Sequence, residues 1–208
     1  TVQVGNNDLV LDIDSLDIRN SGNFKVERNG TGRLFLFVND SFNLSNNAKL
    51  SGGAEDEGFI YVFYLGEDKF KPNNSSQFNA SLFCSRADIE ISNSARMGKI
   101  VTKGEKVDLK NSSLSVENIY ATQADVTFHN SAVLAGGVIT GGQNVVLHNS
   151  VSIPGFIYAP LANTTLNNSA SVHGTTIVKN LYMGNSSIIE GPPVTILPAL
   201  EIPFPVFE

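Results

Sequence analysis

FHNSAVLAGGVITGGQNVVLHNSVSIPGFIY, residues 128–158, contains the triplet His-Asn-Ser twice, at His129–Ser131 and at His148–Ser150. The two copies lie 19 residues apart, and each follows an alternating apolar segment. A polar triplet that returns at a fixed interval is the mark of a repeat architecture. Aligned on Asn followed by Ser, the chain gives Asn74, Asn93, Asn111, Asn130, Asn149, Asn168 and Asn185, at intervals of 17 to 19 residues.

The neighbours of each mark agree as well. Short alternating runs such as DIEI, DVTF and VVL precede it, and GKIVT, ENIYA, GGVIT, GFIYA and GTTIV follow it. Period-2 patterning rich in β-branched and aromatic residues predicts strand, and no segment carries a helical stripe. At roughly 3.3 Å per residue, 19 residues trace a perimeter of about 60 Å, enough for two or three short strands and tight corners. The expected fold is all-β: a parallel β-solenoid (β-helix) with coils of about 19 residues, an N-terminal β cap and an extended C-terminal tail. The Asn marks the corner, because it tolerates left-handed backbone better than other non-glycine residues. Stacked coil on coil, these side chains would form an amide ladder of Asn74, Asn93, Asn111, Asn130, Asn149, Asn168 and Asn185. The expected interior is Val126, Phe128, Val133, Val138, Val146, Leu147, Ile153, Ile157, Leu166, Val172 and Ile177.

Three segments are expected: a cap over 1–40, the solenoid over 41–190, and a Pro-rich apolar tail over 191–208. Within the solenoid a further corner falls near Asn47. An insert near 52–72, with the apolar run Phe59–Leu65 between acidic clusters, is read as an enlarged coil side or a hairpin laid on the body. The tail's prolines exclude helix and central strand. Its apolar residues Val194, Ile196, Leu197, Leu200, Ile202, Phe204, Val206 and Phe207 call for a surface: the last coil, one side of the body, or a neighbouring subunit in a fibre.

The 208-residue chain has a formal charge of −6 and one cysteine, Cys84, so it forms no internal disulfide. Its acidity gives no general electrostatic reason to bind nucleic acid. No apolar run has the length of a membrane span, and no signal peptide is visible at Thr1, so an exported chain would be a mature form or a fragment without its anchor. From Val126 to Val178 there is no Asp, Glu, Lys or Arg. Asn-X-Ser/Thr acceptor sites fall at Asn29, Asn39, Asn43, Asn73, Asn74, Asn79, Asn111, Asn163, Asn167 and Asn185, against about three or four expected by chance. Corner chemistry produces some of them; N-linked glycans shielding the neutral faces of an exported protein are the other reading.

GFIYAPLANTTLNNSASVHGTTIVKNLYMGNSSIIEG, from Gly155, adds a family likeness. Its order is Gly-apolar-Ile-Tyr-Ala-Pro, an alternating strand, an Asn corner, a Gly-apolar strand and a final Asn-centred coil. This resembles the β-solenoid domain of type IV pilus-associated surface proteins, including PilX-like assembly proteins and solenoid-bearing minor pilins. The match is close from Gly155 to Ile189 and looser back to about Gly32. It implies an extracellular protein of a pilus or envelope. Polymerising bactofilin-like solenoids are a more distant likeness.

Candidate chemistry is sparse. Asp88, Asp108 and Asp125 fall near one corner of successive coils, beside Glu90, Lys110 and Arg96; polysaccharide cleavage would need such carboxylates paired. His129 and His148 share a coil position, but a metal needs a third or fourth ligand, and the adjoining coils offer Lys110 and Asn167. Cys84 reads as a small buried residue. Thr164–Thr165 and Thr175–Thr176 do not recur on every coil, as an ice-binding face would require. Tyr120, Tyr158 and Tyr182 recur on related strands and suggest an aromatic platform for sugar. No cofactor or metal is expected. The expected function is non-enzymatic and structural: a cell-surface filament component or decoration, joined to copies of itself or to other subunits, with end-to-end assembly as one mode. An adhesin-like module for carbohydrate, and less readily for DNA, is the second class.

Overall fold

A computed structural model of the chain describes residues 1–52, 57–115 and 117–191. Every strand pairing among these residues is parallel, in a sheet of 10 strands and a sheet of 13. The chain is a parallel β-solenoid. Its windings have three sides. In the winding that starts at Asn130, Val133–Leu134 belongs to the 10-stranded sheet. Val138–Thr140 and Asn144–Leu147 then form two further sides, joined through Gly141 and Gly142. Those two sides are one sheet because the long strands Leu9–Ile18, Leu34–Leu44 and Ile157–Leu166 run round the corner between them. Register shifts between Ile13 and Ser15, and between Ala159 and Asn163, let them bend there. At the next corner the windings touch so closely that a Cβ on Gly174 would lie 1.8 Å from the Gly155 carbonyl oxygen, so only glycine fits.

The Asn-Ser corner is a type I′ turn. Asn130 and Ser131 have φ of 47° and 60°, and the N–H of Ala132 donates to the His129 carbonyl at 3.0 Å. The same two-residue left-handed step occurs at every Asn-Ser mark, and also at Asn20–Ser21 and Asn46–Asn47. The residue after it turns inward and is small at most corners (Ala48, Ser76, Ala95, Ser113, Ala132, Ala170), with Val151 the larger exception at the Asn149–Ser150 corner.

The interior is a stack of aliphatic columns. Val126, Phe128, Val138, Leu147, Ile153, Ile157, Leu166 and Val172 are buried as the alternation predicts. Three expected interior residues are not: Val146 is half-buried, and Val133 and Ile177 face outward at 42% and 41% exposure. Their neighbours Val145, Leu134 and Val178 take the inward positions. In VV, AVL and TIV both faces carry apolar or small residues, so alternation leaves the phase undetermined.

Residues 1–40, expected as a cap, wind in register with the rest: Val2–Val4 pairs with Asn23–Arg28, and Leu9–Ile18 with Leu34–Leu44. Of the segment near 52–72, Ile60–Tyr64 forms a coil side, between Leu34–Leu44 and Ser81–Cys84 in the 13-stranded sheet, and residues 53–56 lie outside the described residues. The tail from Pro192, with Val194, Ile196, Leu197, Leu200, Ile202, Phe204, Val206 and Phe207, lies outside the described residues.

Candidate functional site

The corner asparagines form one hydrogen-bonded column along the solenoid axis. Each Nδ2 donates to the Oδ1 of the winding before it: Asn93 to Asn74 at 3.0 Å, Asn111 to Asn93 and Asn130 to Asn111 at 3.1 Å, Asn149 to Asn130 and Asn168 to Asn149 at 2.9 Å, and Asn185 to Asn168 at 3.0 Å. Asn74 donates on to Asn46 at 2.8 Å, and Asn46 to Asn20 at 3.2 Å. Among the described residues the column therefore has nine members. Asn46, not its neighbour Asn47, occupies the ladder position. Backbone bonds run the opposite way, as from the Ser112 N–H to the Asn130 carbonyl at 3.1 Å. The left-handed corner is what turns that peptide along the axis.

The ladder engages the amide nitrogen of some acceptor sites. A glycan attaches to an asparagine amide, and the Nδ2 of Asn74, Asn111 and Asn185 is already engaged in the column. Asn29, Asn39 and Asn43 donate from Nδ2 to Gln3, Asp12 and Asp17 at 2.7 to 2.8 Å, and Asn73 reaches the Lys71 carbonyl at 3.4 Å. Asn79 and Asn167 are half-buried, while Asn163 is exposed and accepts through Oδ1 from Asn180.

The expected carboxylate group does not assemble. Asp88 Oδ1 accepts the N–H of Glu105 and Lys106 at 3.1 and 2.9 Å. Asp125 repeats the device on Gln143 and Asn144. Asp108 stands two positions further along, opposite Glu90, and Arg96 is on the 10-stranded sheet. Around Glu90 the cations gather: Lys71 and Lys110 at 3.0 Å and Lys69 at 3.6 Å, with Lys110 also 3.6 Å from Asp108. Burial alone would raise the Glu90 carboxyl, but the hydrogen bonds and charges of Lys71 and Lys110 outweigh it and hold it at about 2. It is ionised at neutral pH, which suits ion pairing and not proton donation.

His129 and His148 stack with ring centroids 5.1 Å apart and an interplanar angle of 15°. Burial, and then the charge of His148, lowers the His129 pKa. Among the described residues no group of three or more His, Cys, Asp or Glu is placed to hold a metal. Cys84 is buried, donates to the Ala87 carbonyl at 3.2 Å, and burial pushes its thiol up to about 11. Thr164 is fully buried, so it presents no hydroxyl to a ligand.

An outward aromatic column is the surface feature that the sequence concealed. Phe37, Phe63 and Phe83 are opposite one another on adjacent strands and stack at 4.8 and 4.9 Å, near the strand spacing itself. Phe35 stacks beside them on Tyr61 at 5.3 Å. The same register continues through Val101, Tyr120, Ile139, Tyr158 and Ile177. Tyr120 and Tyr158 thus belong to one stripe with Ile139 between them. Tyr182 sits opposite Thr165 on a different side and is not part of it.

No family model, curated protein or solved structure matches the chain. Among the described residues no helix is long and apolar enough to cross a membrane.

Proposed function

We propose that the chain is a non-enzymatic structural protein of the cell surface, a rigid solenoid that builds or decorates a filament together with copies of itself or other subunits. The observation that carries this reading is the nine-member asparagine column. The most regular feature of the sequence serves the axis of a rod and not a pocket. At about 4.8 Å per winding, nine corners span roughly 40 Å. The excess of acceptor sites supports an exported protein, and the likeness of Gly155–Ile189 to pilus-associated solenoids supports a filament. Electron microscopy of the purified protein, with intact mass of native material, tests it. Ordered fibres and added glycan mass are expected; isolated rods of unmodified mass at every concentration would sink it.

A second reading, a carbohydrate-binding module, has its own support in the outward rings of Phe35, Phe37, Tyr61, Phe63 and Phe83. The outer edges of this stack offer an apolar strip for sugar rings, while an acidic chain suits DNA poorly. A glycan array discriminates: retention that is lost in Phe63→Ser favours this reading over the filament.

A further inference from the structure

The last described winding has an unfinished core. Leu181, Met183 and Ile189 occupy inward positions, in register with Thr164, Leu166 and Val172 one winding below. Those three are 0% exposed, whereas Leu181 and Met183 are 42% and 48% exposed. With Val178 and Gly174 they line an open apolar depression of about 670 Å³. Apolar residues at core positions require a cover.

The chain itself arrives there, because Gly191 lines the same depression. The 17 residues Pro192–Glu208 follow directly. Extended at roughly 3.3 Å per residue, they would reach about 56 Å, close to one full winding. They carry Val194, Ile196, Leu197, Leu200, Ile202, Phe204, Val206 and Phe207, with Glu201 and Glu208 as their only charges. Five prolines deprive the segment of N–H donors, so it can cover a sheet edge without offering a further strand a complete edge.

We propose that Pro192–Glu208 folds back over the last winding of its own chain and closes the core at Val178, Leu181, Met183 and Ile189. The cover is intramolecular, so copies that join in a filament do so through other faces of the solenoid.

Hydrogen exchange tests this on the full chain, on a chain ending at Gly191, and on a full-length Leu200→Ser/Phe204→Ser/Phe207→Ser variant, which serves if the truncated chain aggregates. In both variants the amides of Thr176–Met183 should exchange at least about tenfold faster, while Val126–Leu147 stays protected. Protection in the full chain should not depend on protein concentration. Unchanged exchange at Thr176–Met183 in either soluble variant would overturn the proposal. So would protection that falls on dilution of the full chain, which would assign the depression to a second copy.

Discussion

The Nδ2 of Asn168 donates to the Oδ1 of Asn149 at 2.9 Å, while the Asn168 carbonyl accepts the N–H of Ser150 at 2.9 Å. One residue thus binds the winding before it through both side chain and backbone, in opposite directions. Only a left-handed corner presents the two groups to the same neighbour.

Replacing Asn149 separates these contributions. Asn149→Leu should lose about 2–4 kcal/mol, because it deletes two amide bonds and forces a branched side chain into left-handed backbone. Asn149→Gly keeps the backbone and should lose only about 1 kcal/mol. Denaturant titration of both variants checks the order; equal losses would remove the contribution assigned to the left-handed backbone.

The second corner position offers a change of opposite sign. Ser131 sits at φ 60°, where glycine is at ease and serine is not. Ser131→Gly should raise stability by about 0.5–1 kcal/mol, read as a higher melting temperature.

Ser113 is fully buried, and its hydroxyl has no hydrogen-bond partner. Ala95 and Ala132 hold the equivalent corner position in the windings on either side. Ser113→Ala should therefore stabilise the protein by about 1 kcal/mol, whereas a bulky Leu there should destabilise it. A denaturation midpoint that falls in the alanine variant would contradict this.

Acid should act through Glu90. Its pKa is depressed from 4.5 to about 2 in the folded chain, so the folded state binds fewer protons than the unfolded one. The stabilisation is complete above pH 4.5 and is lost as pH falls from there towards 2. Lys69 and Lys71 are partly exposed, so screening limits the effect to about 1–2 kcal/mol. Glu90→Gln should flatten this part of the stability–pH curve.

The winding was legible in the sequence because its rule is local: a left-handed step needs Asn, and the same step returns every 17 to 19 residues. Asn20 and Asn46 escaped notice because the windings there are 26 and 28 residues long, and Asn47 replaces the usual serine. The Phe37–Phe63–Phe83 stack was hidden for a different reason. In LFLFV and IYVFY both faces are apolar, so alternation disappears and only strand register shows which rings share a column. The charged residues misled in the same way. Asp88, Asp108 and Asp125 are near neighbours by count, yet two residues of offset place Asp108 on another row.

Because each bend copies the last, overall length is quantised. Excising Asn130 to His148 would join His129 directly to Asn149 and set the winding from Asn149 on the equivalent rows of the winding from Asn111, as the Asn column and strand registers repeat. Such a shortened molecule should fold, whereas removing ten of the same residues should not. A lineage could therefore lengthen or shorten this rod by recombination between storeys, with new side-chain contacts confined to the junction.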